Sequence, residues 1–426
     1  MTLRDRENVT LKVVHERPVR LRAWAWVVLA ALAGAAVLGA WRFRSKSAID
    51  PDLVWRQAED DFQAGRHDRA ESELKQLARL RSPTPLDRML EAQVAMVRDR
   101  PAEVLANLDA VPDSHRIAAQ ARLLAGQYEL RRKRLRAAER YLKEAVRLDP
   151  KLVQAHRELI YLYGMLLRRP ELNAEFRALG EITPLTFDNC FHWCLTRNSV
   201  WEPKEITEEL RAYLAADTDD RWARLALAEN LRQVNERKEA EQLLEPLPKS
   251  DPDAIVIRAR IALDRNDDQA LEAALAEGPD NHAELARLRG RLALARRDAA
   301  GALEHFRAAY KADPDHRDAI AGLGQALAMT GDPAAAAPFQ ALARDHDQLG
   351  TLMQRAANVA SKKDPELWRA LGAACEKIHR LPEARAWYNL VIEANPLDAD
   401  AQKALFRLAA QAKTGSGPPA LPAPRS

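Results

Sequence analysis

The stretch ARLLAGQYELRRKRLRAAERYLKEAVRLDP, from Ala121 to Pro150, decides the fold of this chain. It predicts one helix, a short basic turn, a second helix and a proline stop. The same pattern returns at RLRGRLALARRDAAGALEHFRAAYKADP, Arg287 to Pro314, and at ELWRALGAACEKIHRLPEARAWYNLVIEANP, Glu366 to Pro396. Three copies of one helical hairpin indicate an internal repeat, so we expect the chain to stack its helices in pairs.

The period of this repeat is 34 residues over the first half of the chain. Units start at Pro51, Pro85, Ala119, Val153, Phe187 and Arg221, and later ones near Asp251, Ala283, Arg317 and Pro365. Ala, Leu, Arg and Glu dominate the composition and only 16 of the 426 residues are Gly, which favours helix throughout. The predicted fold class is all-α: an α-solenoid of about ten helix-turn-helix repeats, preceded by one transmembrane helix.

The repeat resembles the tetratricopeptide repeat, a helix–turn–helix unit of 34 residues. The unit that starts at Pro365 carries these residues at signature positions: Trp368, Leu371, Gly372, Ala384, Tyr388 and Pro396. The unit that starts at Ala283 matches at Gly290, Ala302, Phe306, Ala309 and Pro314. The resemblance implies stacked hairpins that bind other proteins.

Spacing changes indicate how the chain is divided. The array is expected over 51–345, and 346–363 is predicted to form an extra helix that separates it from a C-terminal repeat and capping helix, 364–412. A face of Leu349, Leu352, Met353, Ala356 and Val359 supports that helix. The remaining tail, 413–426, is rich in Gly and Pro and is expected to be disordered.

A membrane anchor is predicted near the N-terminus. Residues 23–41, AWAWVVLAALAGAAVLGAW, carry no charge, and as a helix they would be just under ~30 Å long, which matches bilayer hydrocarbon. A basic arm, 1–22, precedes the segment and a linker, 42–50, follows it. Because Lys and Arg are more numerous before the segment than directly after it, we expect the repeats on the extracytoplasmic side.

Two other interpretations of residues 23–41 are less favoured. A cleaved signal peptide usually has a shorter apolar core and a small-residue cleavage site, whereas no clean site follows Leu38. A buried core helix would need an apolar partner segment nearby. We therefore predict a single-pass protein of a bacterial cytoplasmic membrane, and the Ala/Arg/Leu-rich composition fits a bacterium.

The distribution of charge argues against nucleic acid as a partner. Residues 1–46 hold nine Lys and Arg against three Asp and Glu, which gives this segment a net charge of +6. The net charge of the whole chain is +3. The rest of the chain is therefore slightly acidic, at −3, whereas a nucleic-acid binder concentrates positive charge on its folded domain.

Candidate chemical sites are few. Cys190, His192 and Cys194 could share a helix face and ligate a metal, but the repeat register places both cysteines at packing positions, as it does Cys375. Three cysteines define no disulfide framework. Gly322 and Gly324 are not preceded by a strand, so they do not indicate a nucleotide loop. We predict no catalytic, cofactor or metal residue.

The resemblance implies a partner-binding groove instead. In tetratricopeptide arrays, positions two, five, nine, twelve and thirteen of each unit face a concave groove. In the better-matched units these positions hold Gln120, Gln127, Arg131, Arg157, Tyr161, Glu284, Arg287, Arg291, Gln325, Arg369, Glu376 and Lys377. Polar heads on long apolar stems suit an extended peptide or a partner helix. The Lys/Asn carboxylate clamp of chaperone-binding relatives is not reproduced.

The predicted function is a membrane-anchored, non-catalytic scaffold that binds protein partners in its groove, with no cofactor and no small-molecule substrate. Two alternatives stay open. The chain could be an accessory subunit of a cell-envelope assembly or secretion complex. It could also be a divergent enzyme centred on the atypical repeat 187–213.

Overall fold

The computed structural model describes residues 50–196, 203–414 and 419–421. Within these ranges the chain is all-α, with 21 α-helices, one short 3₁₀ helix and no strand. The helices are α1 (Pro51–Gln63), α2 (His67–Leu80), α3 (Pro85–Val97), α4 (Pro101–Asp109), α5 (Ala118–Arg131), α6 (Leu135–Leu148), α7 (Val153–Met165), α8 (Arg169–Ile182), α9 (Phe187–Thr196), α10 (Pro203–Ala216), α11 (Arg221–Gln233), α12 (Arg237–Leu244), α13 (Pro252–Asp264), α14 (Asp268–Ala276), α15 (Ala283–Ala295), α16 (Ala299–Ala312), α17 (Arg317–Met329), α18 (Pro333–Ala356), the 3₁₀ helix (Val359–Lys363), α19 (Pro365–Lys377), α20 (Leu381–Ala394) and α21 (Ala399–Thr414).

Consecutive helices pack as hairpins, as the all-α solenoid prediction requires. Close pairing joins α1 to α2, α3 to α4, α5 to α6, α11 to α12, α13 to α14, α15 to α16, α17 to α18 and α19 to α20. The first helices of neighbouring hairpins also touch, α11 with α13, α13 with α15 and α15 with α17. Each helix thus buries one face against its partner and another against the next unit, which is how repeat arrays acquire a continuous core.

One residue in each described hairpin turn has left-handed backbone. These residues occupy the same register position, the fifteenth of the unit: Gly65, Asp99, Lys133, Leu167, Asn235, Asn266, Arg297, Gly331 and His379. A positive φ reverses the chain between two helices, and glycine takes it without steric cost. Only two of the nine are glycine, so the other seven turns hold side chains in a disfavoured conformation.

Replacing such a residue by glycine is expected to stabilise the protein. Arg297 has φ 61° and an exposed side chain, so Arg297→Gly should relieve the left-handed strain and raise the free energy of unfolding by ~0.5–1 kcal/mol. Gly331→Ala is the matched control, because Gly331 has φ 82° and an alanine methyl group there would stand in open space, so only the backbone cost remains. Thermal melts should move in opposite directions, and a fall in Tm for Arg297→Gly would contradict this account.

The predicted separate helix over 346–363 is wrong. Residues 346–356 continue α18, which is 24 residues long, and only 359–363 form a separate 3₁₀ turn. Nothing at 345–346 ends a helix, and the buried stripe runs on in phase through His346, Leu349 and Met353. The long spacing before Pro365 therefore comes from a lengthened second helix of one hairpin.

The C-terminal boundaries also differ slightly from prediction. The closing helix α21 extends to Thr414, and Asp398 caps it by accepting a hydrogen bond from the Ala401 amide at 2.9 Å. Of the predicted disordered tail 413–426, residues 413–414 are helical, and the carbonyl of Pro419 accepts a hydrogen bond from the Tyr310 hydroxyl at 2.8 Å.

Two compact units make up the described chain, one ending at Glu158 and the other beginning at Leu159. The N-terminal unit has its core around Val104, Leu108 and Tyr128, and a second cluster around Ala58 and Leu90. The C-terminal unit contains the cavity described below. Among the helices of the described ranges, none combines the length and apolarity that a membrane crossing needs. The predicted arm and anchor, 1–22 and 23–41, lie outside the described residues, as does 42–49 of the linker.

Within the C-terminal unit, helices far apart in sequence meet. Helix α9 packs against α18 and α20, and α8 also touches α20. The ring of Phe187 stands edge-on to that of Trp387 with centroids 5.7 Å apart, and Lys362 pairs with Asp188 at 2.8 Å. Arg385 forms an ion pair with Glu181. The array in this unit therefore curls until its early and late hairpins touch.

Candidate functional site: a charged cavity inside the C-terminal unit

A cavity of about 290 Å³ lies inside the C-terminal unit. Counted from the first residue of each hairpin, positions two, five and nine of the first helices α11 and α13 line it, as do positions two and five of α15. Those residues are Trp222, Leu225, Glu229, Asp253, Val256, Arg260, Glu284 and Arg287. The concave positions of three consecutive units thus converge on one space.

Alternating charges form a connected network along one wall. Arg260 bridges two units: it donates to Glu229 at 3.0 Å and to Glu284 at 2.6 Å. Glu284 also accepts from Arg287 at 2.6 Å, and Glu229 accepts from Arg232 at 3.0 Å. Charge-assisted hydrogen bonds of this kind are stronger than neutral ones and hold both partners in fixed geometry. The wall is therefore preorganised before any ligand arrives.

The carboxylates of this network stay ionised although they are buried. Burial alone would raise the pKa of Glu229, but Arg260 and Arg232 outweigh it and lower that pKa. The same opposition holds at Glu284, where Arg287 and Arg260 bring the pKa far below its usual range. Burial lowers the pKa of the neighbouring His316, so this imidazole is neutral at pH 7. Both carboxylates of the network therefore find their positively charged partners within the network itself.

Another part of the cavity lining is apolar. Leu166 and Pro170, on either side of the α7–α8 turn, line it together with Ile257. Two cations contact the Trp222 ring, since the guanidinium of Arg168 lies 4.9 Å from its centroid and that of Arg221 lies 4.5 Å away. Apolar walls with a few fixed polar groups are typical of ligand pockets, whose volumes begin at ~300 Å³.

Of the predicted groove residues in the C-terminal unit, only Glu284 and Arg287 line this cavity. Arg291 and Gln325 are exposed. Tyr161 donates its hydroxyl to Glu209. Further along, Arg369 pairs with Asp398, Glu376 accepts from Arg407 at 2.6 Å, and Lys377 donates to Gln348 at 3.4 Å.

None of the predicted groove residues of the N-terminal unit lines this cavity. Gln127 donates to Glu158 at 2.9 Å. Arg131 is exposed and lies over the Tyr128 ring, with its guanidinium 5.7 Å from the centroid. Gln120 is half-buried and Arg157 is exposed.

Several lining residues were missed by sequence reasoning, for identifiable reasons. The predicted start at Asp251 is one residue early, because Asp251 is the N-cap of α13 and accepts from the Ala254 amide at 3.2 Å. Corrected by one, position nine becomes Arg260. Glu229 is position nine of the unit that starts at Arg221, which is not one of the better-matched units. Arg169 opens a second helix, α8, and no groove position of the repeat includes it.

The cysteines form a buried cluster that the sequence did not bring together. The sulfurs of Cys194 and Cys375 lie 3.9 Å apart, and the Trp387 indole donates to Cys194 at 3.3 Å. Within the described residues, Cys194, Cys375 and Glu383 are the one group of three close potential metal ligands. Their chemistry disfavours a metal: contact with Cys194 and burial raise the pKa of the Cys375 thiol, and Arg380 lies 3.6 Å from Glu383. Cys190, also buried, and His192 are not part of the group.

Stacked helical hairpins, with a cavity lined by the same positions of successive first helices, define an α-solenoid repeat protein. The family model described as "Tetratricopeptide repeat" matches residues 268–314 and 287–349, which covers α14 to α17 and part of α18. This part of the chain is similar to the tetratricopeptide repeat family. Among the curated proteins, none matches it in sequence.

Solved structures similar to this chain include several repeat proteins of this kind. A tetratricopeptide repeat protein from Parabacteroides merdae has 15% identity over 57% of this chain and 98% of its own, with a TM-score of 0.32. The Cut9–Hcn1 hetero-tetramer of the APC/C has 14% identity, coverage of 91% and 94%, and a TM-score of 0.34. The P58(IPK) TPR domain has 13% identity, coverage of 86% and 99%, and a TM-score of 0.26. None of these values identifies a partner for this chain.

Proposed function

We propose that the chain is a non-catalytic scaffold that binds a segment of a partner protein in the cavity of its C-terminal unit. The observation that carries this proposal is the convergence of the concave positions of α11, α13 and α15 on one preorganised space. Tetratricopeptide repeat domains generally bind protein partners. A cavity of this size accommodates a few side chains of an extended segment or one face of a helix, rather than a folded domain.

The proposal includes a membrane anchor at residues 23–41 that places the scaffold on the extracytoplasmic side of a bacterial cytoplasmic membrane. Its support is the uncharged 19-residue segment with basic flanks. The accessory-subunit alternative is a version of the same scaffold within a larger envelope complex. For the divergent-enzyme alternative, no observation at 187–213 adds support, because the cysteine thiols there are buried and Cys190, whose pKa burial raises, is protonated at pH 7.

Site-directed photocrosslinking in the producing cell tests partner binding. p-Benzoylphenylalanine at Trp222, an aromatic replacement inside the cavity, should cross-link to a defined protein. The same group at Gln269, an exposed residue of α14, is the control and should not give that product. Mass spectrometry identifies the cross-linked chain and the cross-linked residues. Absence of a protein cross-link specific to position 222, in a variant that accumulates normally, would contradict the proposal.

A further inference from the structure

Among the described residues, one arginine at the cavity has no ion-pair or hydrogen-bond partner for its side chain. Arg169, the first residue of α8, lines the cavity. Every other arginine that lines it is paired, Arg260 with Glu229 and Glu284, and Arg287 with Glu284. Among the described residues, none forms an ion pair or hydrogen bond with the Arg169 guanidinium. The Arg169 residue is half-buried and lies in the wall of the cavity.

The electrostatic surroundings make that arrangement costly. Burial, and next the positive charge of Arg260, lower the pKa of Arg169. An arginine remains protonated in proteins under these conditions, so the charge is present and incompletely solvated. The carboxylates of Glu229 and Glu284 attract it at longer range, but their hydrogen-bonding capacity is used by Arg232, Arg260 and Arg287.

Asp313 is the one carboxylate lining the cavity that has no cationic partner among the described residues. It accepts a hydrogen bond from the Asp315 amide at 3.2 Å and remains half-exposed, so it is solvated where it stands. It attracts Arg169 only at longer range. The cavity therefore favours an anionic group at Arg169, beside the apolar surface of Leu166, Pro170 and Trp222.

We propose that Arg169 receives the side-chain carboxylate of an Asp or Glu in the partner segment, while flanking apolar side chains of that segment pack against Leu166, Pro170 and Trp222. The inference rests on the proposed function and adds the chemistry of the partner. The planar guanidinium fork binds a carboxylate through two parallel hydrogen bonds, which fixes the register of the segment. Such a contact, formed in a partly enclosed cavity, gains more than a fully exposed ion pair would.

A charge-swap selection tests this assignment. Short linear peptides are displayed with both ends in peptide linkage, and those that bind the full-length protein in detergent are selected. The wild-type protein should enrich sequences with one Asp or Glu flanked by apolar residues. Arg169→Gln should lose the acidic preference, and Arg169→Glu should select Lys or Arg instead. Arg344→Gln is the matched control, because Arg344 is exposed on α18 and outside the cavity, and it should select as wild type does.

A double-mutant cycle then measures the contact. Replacing the acidic residue of a selected peptide by Gln should weaken binding to the wild-type protein by ~10-fold or more, and should change little with Arg169→Gln. The thermal stability of free Arg169→Gln should equal or exceed that of wild type, because an unpaired, repelled cation is removed. A marked loss of stability would instead make Arg169 a structural partner of Asp313 and overturn the assignment.

The outcomes separate the two proposals. Peptides that bind in the cavity with no acidic preference, or that require a free C-terminal carboxylate, overturn the Arg169 assignment and leave the scaffold proposal intact. If no peptide is enriched and position 222 gives no protein cross-link, the scaffold proposal itself fails.

Discussion

Replacing Arg380 by Met is expected to lower the free energy of unfolding by ~3–5 kcal/mol, as measured by urea denaturation. The Arg380 side chain is only 4% exposed, and its Nε lies 2.9 Å from both oxygens of Asp315 and 3.6 Å from Glu383. Removing the cation takes a close positive charge away from two carboxylates that are poorly solvated. That penalty, rather than the intrinsic strength of the ion pair, causes the loss.

The matched control is Arg317→Met. Arg317 pairs with Asp347 at 2.9 Å, but both side chains are more than one third exposed, so the change should cost ~1 kcal/mol or less. Adding Asp315→Asn to Arg380→Met should recover part of the loss, because one of the two carboxylate charges near the missing cation is then removed. Hydrogen exchange of α19 and α20 would report the local effect. Equal, small losses for the two arginine variants would contradict the argument.

A second large effect is expected from pH, through His346. The imidazole is buried, with its Nε2 4.0 Å from the nearer Asp315 oxygen and without a hydrogen-bond partner among the described residues. Burial, and next the charge of Arg380, lower the pKa of His346 to about 4, while Asp315 opposes the shift. The charge of Arg317, and that of His316 when it is protonated in acid, act in the same direction as Arg380. In the unfolded chain the pKa of a histidine is about 6.5.

The sign of the effect follows from proton linkage. Between pH 6.5 and 4 the unfolded chain binds a proton that the folded protein excludes, so acidification favours unfolding. The His346 contribution is therefore complete above pH ~6.5 and falls by ~3 kcal/mol as the pH approaches 4. Denaturation across this range should show a steeper decline for wild type than for His346→Gln.

Two further variants serve as controls for this prediction. His305→Gln removes a histidine from a partly exposed position on α16 and controls for the loss of one imidazole. In Arg380→Met, the His346 pKa should move upward because a repelling charge is gone, so the pH-dependent component should shrink. An unchanged pH profile in His346→Gln would show that other groups account for the acid sensitivity.

Local features of the fold were predictable because they depend on neighbouring residues. The first helices begin at Pro51, Pro85 and Val153, as the repeat register predicts, and the turn residue stands fifteenth in each described hairpin. Amphipathic spacing and the near-constant period are sufficient for this, since a hairpin buries its apolar faces against the adjacent helices. The predicted helix end after residue 345 was wrong, because the sequence there contains no residue that ends α18.

The candidate site was only half predictable. The family positions bring Glu284 and Arg287 to a concave surface, but a one-residue error in register concealed Arg260. Arg169 belongs to a second helix, and its lack of a partner becomes visible only when the residues of four hairpins are placed in space. No periodicity signals an unpaired charge.

By itself, the sequence determined the all-α class, the helical hairpin and the order in which hairpins follow one another. The tertiary structure alone decided that the C-terminal unit curls on itself, which brings Cys194 to Cys375 across 181 residues and Glu181 to Arg385 across 204. The reason is physical. Each hairpin is specified by contacts with its neighbours, whereas curvature is the accumulated sum of small rotations between units. Small differences in side-chain packing set those rotations, and with them the cavity.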